Sequence, residues 1–303
     1  MIRTVGRYAP SPTGSLHLGN LRTALLSWLF ARHGSGSFLV RMEDLDPGRV
    51  RPGVDAEQLA DLAALGLTWD ESVVRQSERG ERYAAALAAL EADDLLYPCW
   101  CTRAEIREAA SAPHGPFPDG AYPGTCASLS REQRADRERS SRPAALRFRA
   151  GGAHVAVDDL LLGRSEYAVD DPVVRRGDGA VAYNLAVVVD DAAQGVTQVV
   201  RGDDLLETTP RQLLLARALG LPEPAYAHVP LVLGPDGQRL AKRHGGVTLA
   251  QRRERGETPE QVRGWMAASA GLAQPGEDPS LETLLGRFDP AAIRREPTVW
   301  QGP

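Results

Sequence analysis

The order of elements at the start of the chain constrains its fold more than any other feature of the sequence. Residues 3–9 have the pattern of a short strand and run into the turn-forming sequence PSPTG. From His17 to His33, leucines and Trp28 recur at helical spacing, and Gly34 follows as the expected C-cap. The segment SFLVRMED has the pattern of a second strand. A strand–loop–helix–strand unit predicts a parallel sheet covered by helices, and therefore an α/β fold.

The remainder of the chain indicates one α/β domain that is interrupted by an insertion. Helical patterns recur at 54–65, 79–93 and 208–219. Near Tyr97 the composition shifts to a stretch rich in Pro and Gly, which also contains the strand-like segments PAALRFRA and HVAVDDLLLG. The α/β character resumes with VAYNLAVVVDD, a buried helix or strand, and with the strand VTQVVRG. We expect four parts, which are the first half of the domain at 1–96, the insertion at 97–180, the second half at 181–247 and a short helical tail at 248–303.

Composition and charge restrict the class of protein. Of the 303 residues, 43% are apolar and 25% are charged, as in ordinary globular proteins. The net charge of −5 gives no general attraction for nucleic acid, although residues 131–149 are rich in arginine and offer a local basic surface. No apolar run approaches a membrane span, and the N-terminus lacks the apolar segment of a signal peptide. We therefore expect a cytoplasmic monomer that makes no membrane contact.

The loop PSPTGSLHLGN has the features of a phosphate-binding site. A helix N-terminus presents unpaired N–H groups and the positive end of the helix dipole. His17 lies at this N-terminus, where its imidazole can donate a hydrogen bond to a phosphate. Gly19 permits a ligand to approach the backbone closely. The alternative for an isolated H-x-G sequence is a capped helix with an ordinary surface histidine.

Lys242 is the only lysine in the chain, although Lys and Arg together number 35. It lies in the Gly-rich polar stretch QRLAKRHGG. Lysine is a compact charge on a flexible stem, whereas arginine presents a broad planar fork. A mobile loop that follows a moving phosphate needs the former, so Lys242 is a candidate phosphate contact.

The three cysteines, Cys99, Cys101 and Cys126, lie close together in the insertion. Their odd number argues against a disulfide framework, and their clustering is typical of a zinc site with four tetrahedral ligands. On spacing alone His114 is the default fourth ligand, because tyrosine is an uncommon ligand of zinc. No acid–base partner is evident beside them, so a zinc ion here is expected to be structural. The alternative is a group of free thiols in a loop.

Several motifs together resemble one enzyme family. RYAPSPTGSLHLGNLRTAL resembles the HIGH-motif region of class I aminoacyl-tRNA synthetases, in the form used by the glutamyl branch. RMEDLDPGR and YNLAVVVDDAAQGVTQVVRGDDLLETTPRQ are similar to segments of the same branch, and RLAKRHGG falls where the family carries its KMSKS motif. The motifs occur in the family's order. The resemblance implies a Rossmann-type parallel-sheet domain, split by a zinc-containing insertion and followed by a short helical C-terminal segment.

The resemblance also implies a chemistry. The chain is expected to activate glutamate with ATP and Mg²⁺, without needing tRNA, and to form glutamyl-adenylate and pyrophosphate. His17 and Lys242 are then the catalytic residues, which act on the phosphates by position and charge. Arg7 and Arg201 are the candidates for gripping the side-chain carboxylate of glutamate, and Glu43 is the candidate acceptor for the α-ammonium group. The implied glutamate contacts are Arg7, Ala9, Ser11, Glu43, Tyr183 and Arg201, and the implied ATP contacts are His17, Gly19, Asn20 and Lys242.

The family pattern points to a fourth ligand in the cysteine module. A short CxC…YxxxC module recurs in this family and matches the sequence from Cys99 to Cys126. The implied ligands of one structural Zn²⁺ are therefore Cys99, Cys101, Tyr122 and Cys126, with His114 as the alternative to Tyr122.

The KMSKS-like loop departs from the family pattern at two positions. Arg239 takes the place of the first lysine and Ala241 takes the place of the serine, while Lys242 is retained. The change at Ala241 removes a hydroxyl group and leaves only backbone contacts possible there.

Because only a short stretch follows this loop, we expect no large anticodon-binding domain. We expect the branch of the family that transfers activated glutamate to the queuosine base in the anticodon loop of tRNA(Asp). The alternatives are a truncated discriminating glutamyl-tRNA synthetase that charges tRNA(Glu), and a catalytically silent RNA-binding paralogue. A small-molecule nucleotidylyltransferase shares the H-x-G helix start but does not explain the later motifs.

Overall fold

The computed structural model describes residues 3–102, 104–106, 121–139 and 142–302, without the side chain of Lys242. The strands are β1 (Val5–Tyr8), β2 (Ser37–Met42), β3 (Val74–Arg75), β4 (Leu96–Cys99), β5 (Ala145–Phe148), β6 (His154–Asp159), β7 (Gly163–Ala168), β8 (Val173–Arg175), β9 (Gln198–Gly202), β10 (Ala225–Val229), β11 (Val232–Leu233) and β12 (Thr298–Val299). The helices are α1 (Leu18–His33), α2 (Val54–Ala64), α3 (Gly80–Ala92), α4 (Arg131–Glu138), α5 (Tyr183–Ala193), α6 (Thr209–Ala218), α7 (Leu249–Glu254), α8 (Pro259–Ser269) and α9 (Leu281–Arg287).

The main sheet has seven strands in the order β3-β2-β1-β9-β10-β6-β7. All neighbouring pairs are parallel except β6 with β7. From β1 the chain continues to β2 and β3 on one side, whereas the later strands β9 and β10 lie on the other side of β1, so the strand order reverses there. Ligands of open α/β sheets bind at such a switch point, beyond the carboxyl ends of the strands. The predicted parallel α/β fold is confirmed.

Helix α1 packs closely on β1. Its interior positions are almost all buried. The Ser27 hydroxyl donates to the carbonyl oxygen of Arg7 at 2.8 Å. A Cβ atom at Gly6 would lie only 2.8 Å from the Cβ of Ala31, so the close approach requires glycine. This contact fixes the start of α1 relative to the end of β1, where the loop PSPTG lies.

The predicted helices agree with the structure. The expected helices at 54–65, 79–93 and 208–219 correspond to α2, α3 and α6, and Pro210 lies in the first turn of α6. The segment YNLAVVVDDAA, expected as a helix or a strand, is the buried helix α5. Across the part of the chain that the structure covers, no helix is both long and apolar enough to cross a membrane.

The strands within the predicted insertion, 97–180, belong to two different sheets. Strands β4, β5 and β8 form a separate antiparallel sheet of three strands. Strands β6 and β7 lie within the same range but extend the main sheet. Their side chains explain this placement, because Val155 and Val157 are buried against Leu39, Val199 and Tyr226 of that sheet. The alternation of HVAVDD predicted a strand but not its partner.

The C-terminal segment is not only a helical tail. Strand β12 pairs in parallel with β11, and Thr298 lies opposite Val232. Met266, Phe288 and Trp300 belong to the same hydrophobic cluster as α1. The expected helical tail therefore contributes part of the core on one face of the main sheet.

Candidate active site

A cleft of about 1080 Å³ opens beyond the carboxyl ends of β1 and β9. It is lined by the loop after β1, the start of α1, the first residue of α5 and the loop that follows β11. The cleft brings together most of the residues implied by the family resemblance, namely Arg7, Ala9, Ser11, His17, Gly19, Asn20, Glu43, Tyr183 and Arg201. The Lys242 backbone lies in a short 3-10 turn between the lining residues Ala241 and Arg243, and its side chain lies outside the described residues.

His17 is the N-cap of α1. Its Nδ1 atom accepts a hydrogen bond from the backbone N–H of Asn20 at 3.2 Å, and the Asn20 side chain accepts in return from the His17 N–H. This reciprocal capping box occupies Nδ1, so a neutral ring carries its proton on Nε2. The ring therefore has the tautomer that can donate to a phosphate oxygen from the helix N-terminus.

Gly19 lines the cleft directly beside the His17 ring. A Cβ atom at Gly19 would lie 3.0 Å from Nδ1 and 3.1 Å from Cε1 of His17. The space beside Gly19 is thus occupied by the His17 ring. Because Gly19 has no side chain, it leaves room for the His17 ring in this position.

The loop PSPTG is held in place by helix α2. Gln58 donates to the carbonyl oxygens of Ser11 at 3.1 Å and Gly14 at 2.8 Å. The backbone N–H of Arg51 donates to the carbonyl of Pro12 at 3.0 Å. Sequence reasoning missed Gln58, although it lies on the buried face of α2 with Leu62. A polar residue at an inward position of an amphipathic helix was the available signal.

Arg7 lies in a buried network of charges. Its Nε donates to Asp191 at 3.2 Å, and Arg41 donates to the same carboxylate oxygen at 2.7 Å. Arg41 also lies 3.5 Å from Glu43. A buried carboxylate such as Asp191 needs charged partners, and it fixes Arg7 at the wall of the cleft. Asp191 was missed by the sequence reasoning, although two adjacent acidic residues at the end of an apolar helix were visible.

Burial raises the pKa of Glu43, and the guanidinium groups of Arg41 and Arg7 oppose this rise. The Glu43 side chain is only 11% exposed. A positively charged ligand group beside Glu43 would stabilise its ionised form and lower its pKa. Glu43 is therefore suited to accept hydrogen bonds from an ammonium group.

Arg201 projects from β9 into the cleft and is held by α6. Its NH1 donates to Gln212 at 2.8 Å and its NH2 donates to the Thr209 hydroxyl at 2.7 Å. Arg201 is only 4% exposed. On the same wall, Tyr183 opens α5 and keeps 37% of its surface exposed, so its ring and hydroxyl can contact a ligand.

The KMSKS-like loop is tied to the protein on both sides. Arg239 forms an ion pair with Asp204, which follows β9, at 2.5 Å. After the loop, the carbonyl oxygen of Val247 accepts from the N–H of Leu18 at 2.7 Å, which joins the loop to the start of α1. Within the loop, the backbone N–H of Ala241 donates to Nδ1 of His244 at 3.1 Å. Arg239 and Ala241, the two residues that depart from the family motif, thus each make a defined contact.

The cysteine module does not line the cleft and forms its own cluster. The sulfur atoms of Cys99, Cys101 and Cys126 all lie within 4.8 Å of one another. The Tyr122 hydroxyl lies 3.5 Å from the Cys99 sulfur and accepts from the Cys126 N–H at 2.7 Å. Ligands of a tetrahedral zinc ion lie about 3.5–3.8 Å apart. The three sulfur atoms could therefore hold a metal ion, with the Tyr122 hydroxyl beside one of them, whereas His114 lies outside the described residues.

The electrostatics of this cluster also favour a cation. Burial, together with the neighbouring Cys126 and Cys99 sulfurs, raises the pKa of Cys101 to about 12. A cation among the sulfurs would relieve this penalty, because metal ligation stabilises thiolates. The Arg147 guanidinium stacks on the Tyr122 ring, 3.6 Å from its centroid, and holds the ring in place.

Comparisons with known proteins agree with this geometry. Residues 2–269 match the family model described as tRNA synthetases class I (E and Q), catalytic domain. The chain is 61% identical to a protein of Nocardia farcinica named glutamyl-Q tRNA(Asp) synthetase, over 97% of this chain and 92% of the relative. It is 52% identical to a protein of Symbiobacterium thermophilum with the same name, over 96% of this chain and 94% of the relative.

Solved structures show the same likeness in three dimensions. A glutamate tRNA ligase from Elizabethkingia meningosepticum, crystallised with its amino acid, matches with a TM-score of 0.83 and 28% identity. The match covers 99% of this chain and 67% of that protein. A glutamate-tRNA synthetase from Elizabethkingia anophelis gives a TM-score of 0.84 at 28% identity, with 99% and 68% coverage.

Proposed function

Because the chain belongs to the family of class I glutamyl- and glutaminyl-tRNA synthetases, we propose that it activates glutamate with ATP and transfers it to the queuosine base of tRNA(Asp). Activation needs no tRNA. The observation that carries the activation step is the cleft itself, where buried Arg201 and partly buried Glu43 share one cavity with the N-terminus of α1. The acceptor follows from the name shared by the curated relatives.

Glutamate recognition follows from charge. Arg201 and Arg7 bind the side-chain carboxylate, and Glu43 accepts hydrogen bonds from the α-ammonium group. Both arginines are already fixed by protein contacts, Arg201 by Gln212 and Arg7 by Asp191, so little conformational entropy is lost when the ligand binds. Further contacts come from the hydroxyl groups of Ser11 and Tyr183 and from the backbone of Ala9.

ATP occupies the other end of the cleft. The triphosphate lies at the N-terminus of α1 with His17, Gly19 and Asn20, and the nucleotide is bound with Mg²⁺, which neutralises phosphate charge. An α-carboxylate oxygen of glutamate attacks the α-phosphorus, and pyrophosphate leaves with the bond electrons. His17 donates a hydrogen bond to the α-phosphate oxygen as its charge rises, and Lys242 neutralises the leaving pyrophosphate. The chain contributes position and charge, and no covalent intermediate with the protein is needed.

One structural zinc ion would be held by Cys99, Cys101, Tyr122 and Cys126. The short separations among the three sulfur atoms, and between the Tyr122 hydroxyl and the Cys99 sulfur, support this ligand set. The ion would close a segment that has only a small core of its own.

The acceptor RNA binds through arginine side chains along one face, so its affinity falls steeply as salt concentration rises. Helix α4 carries Arg131 and Arg134 and buries none of its residues, which makes these two arginines candidates for such contacts. The protein is expected to act as a monomer in the cytoplasm, with L-glutamate, ATP and queuosine-containing tRNA(Asp) as its partners.

A second candidate is a glutamyl-tRNA synthetase that charges tRNA(Glu). The solved structures of that activity superpose on this chain, which favours it. The alternative of a silent RNA-binding paralogue was based on the changes at Arg239 and Ala241. Arg239 pairs with Asp204, and the Ala241 N–H donates to His244 within the loop.

Glutamate-dependent exchange of pyrophosphate into ATP, measured without RNA, tests the activation step. The wild-type protein should exchange pyrophosphate with glutamate and much less with aspartate, whose side chain has one methylene fewer between the carboxylate and the α-ammonium group. Arg201→Gln should lose most of this exchange. An RNA-free wild-type protein that shows no glutamate-dependent exchange would contradict the proposal.

A further inference from the structure

A buried chain of hydrogen bonds runs from Asp159 through His228 to Arg201. The Nδ1 atom of His228 lies 2.6 Å from an oxygen of Asp159. The Nε2 atom of the same ring accepts from Nε of Arg201 at 3.2 Å. His228 is fully buried and does not line the cleft, whereas Arg201 does. The ring therefore touches the substrate site only through Arg201.

Asp159 fixes which nitrogen of His228 carries the proton. One oxygen of Asp159 accepts from the backbone N–H groups of Leu161 and Leu162, both at 2.9 Å, and the other accepts from the backbone N–H of His228 at 3.0 Å. Burial raises the pKa of Asp159, but the hydrogen bonds from His228, Leu162 and Leu161 outweigh burial and hold the pKa below its usual range. An ionised carboxylate can only accept, so Nδ1 of His228 must be the donor.

The opposite nitrogen is then an acceptor by necessity. A neutral imidazole with its proton on Nδ1 has its lone pair on Nε2. That lone pair faces Nε of Arg201 and lies 3.0 Å from the Thr209 hydroxyl. The other tautomer, or a doubly protonated ring, would place an N–H group against the Arg201 N–H. Burial and the charge of Arg201 both lower the pKa of His228, which favours the neutral ring.

Strand register explains why this pair meets at the cleft. His228 and Arg201 are register partners on the parallel strands β10 and β9. The guanidinium has three nitrogens, and the protein occupies each one: Gln212 at NH1, Thr209 at NH2 and His228 at Nε. Only the contact at Nε comes from a neighbouring strand.

We propose that His228, oriented by Asp159, is a positioning residue that holds Arg201 in the plane needed to bind the substrate carboxylate. The inference rests on the proposed function, because it takes the carboxylate to be that of glutamate. A planar fork binds a carboxylate through two parallel hydrogen bonds only when its plane is set correctly. Loss of the His228 contact should therefore weaken glutamate binding and leave ATP binding intact.

Two isosteric variants separate the two ends of the ring. The amide of glutamine reaches roughly the position of Nε2, so His228→Gln keeps an acceptor for Arg201. The amide of asparagine reaches roughly the position of Nδ1, so His228→Asn keeps the donor to Asp159 but loses the acceptor for the Arg201 Nε–H group. We expect His228→Asn to raise KM for glutamate about tenfold or more, and His228→Gln to raise it less than about threefold. KM for ATP should stay within about twofold in both variants, and the matched control is His154→Gln at an exposed histidine.

Equal increases of the glutamate KM in the two variants would reduce His228 to a packing role and overturn the proposal. A readout on the wild-type protein does not depend on these variants folding. Long-range ¹H–¹⁵N correlation spectra of ¹⁵N-histidine-labelled protein should place the His228 proton on Nδ1, and a proton on Nε2 would overturn the proposal. If wild-type protein shows the Nδ1–H tautomer but exchanges no pyrophosphate with glutamate, the proposed function fails while the Asp159–His228–Arg201 geometry stands.

Discussion

At the scale of single residues, charged groups of the cleft depend on partners, Asp191 and Arg41, that do not line it. Asp191 binds both Arg7 and Arg41, and Arg41 in turn faces Glu43. Isolated charges at such depth are unfavourable, so the network sets both the position and the ionisation of each member. Glu43 is the member whose ionisation has the clearest consequence for binding.

Glutamate binding should weaken as pH falls through the raised pKa of Glu43. In the proposed site the α-ammonium group binds the ionised Glu43 carboxylate, and protonation of Glu43 would remove that charge. Because burial raises the pKa of Glu43 above its ordinary value, the loss should begin at a higher pH than for an exposed glutamate. Calorimetric titration of glutamate as a function of pH measures the effect.

The Glu43→Gln variant is the control for this titration. It should bind glutamate about tenfold or more weakly, with no further loss over the same pH range, because a charged hydrogen bond contributes about 1.5–3 kcal/mol. Wild-type affinity that stays constant until ordinary carboxylates titrate would show that Glu43 does not bind the ammonium group.

Gly19→Ala should slow activation by displacing the His17 ring. The added Cβ would lie 3.0 Å from Nδ1 of that ring and force it away from the capping position. We expect the rate of pyrophosphate exchange to fall about tenfold, equivalent to about 1.4 kcal/mol in the barrier, with little change in KM for glutamate. Steady-state exchange kinetics measure both quantities.

Gly286→Ala is the matched control, because a Cβ at this glycine of helix α9 meets no other atom within 4 Å. It should keep wild-type kinetics. Equal exchange rates in Gly19→Ala and Gly286→Ala would show that the position of the His17 ring does not limit the reaction.

At the scale of elements, the cysteine module is joined to the helix that holds Arg201. The backbone N–H of Tyr122 donates to Asp170 at 2.8 Å, and Arg211 of α6 forms an ion pair with the same carboxylate at 2.5 Å. The next residue on α6 is Gln212, which holds Arg201. The cysteine module is therefore connected to α6 through the Asp170 carboxylate.

Zinc content should depend on Tyr122 and not on His114. Wild-type protein should contain one zinc ion per chain by native mass spectrometry, and Cys126→Ser should lose it. Tyr122→Phe removes only the hydroxyl and should lower zinc affinity about tenfold or more, measured by competition with a chromophoric chelator. His114→Gln should bind zinc as the wild type does. Loss of zinc affinity in His114→Gln, with wild-type affinity in Tyr122→Phe, would make His114 the ligand.

At the scale of the whole molecule, the C-terminal segment stabilises the domain that carries the cleft. Trp300 is 3% exposed and contacts Trp265 edge-on with ring centroids 5.2 Å apart, while Phe288 contacts Phe30 of α1 at 5.1 Å. Trp300 also lies beneath the Arg252 guanidinium, 4.9 Å from the ring centroid. The segment that resembles a polar helical tail in sequence therefore closes the core beside α1.

Trp300→Ala should lower the free energy of unfolding by about 3–5 kcal/mol, because it leaves a large cavity in this core. Urea denaturation measures the change. The neighbouring Val299 is 42% exposed, and Val299→Ala should change stability by no more than about 0.5 kcal/mol. Similar effects of the two substitutions would show that the C-terminal segment is not part of the cooperative core.

The sequence predicted what depends on local pattern. The helical spacing and caps of α1, the order of the motifs and the clustering of the cysteines are all properties of nearby residues. It did not predict the partners that meet only after folding. Arg7 and Asp191 are separated by 184 positions, and Asp159 and His228 by 69. The placement of β6 and β7 was missed for the same reason, because alternation identifies a strand but not its neighbour.

The identity of the nucleotide that receives glutamate tests the central claim most directly. The protein is incubated with ATP, labelled glutamate and mixed tRNA, and the labelled RNA is then digested to single nucleotides. We expect label on the queuosine of tRNA(Asp), and none on tRNA(Asp) from cells that lack queuosine. Label on the 3′-terminal adenosine of tRNA(Glu) would instead establish the protein as a tRNA(Glu)-charging synthetase and overturn the proposed acceptor.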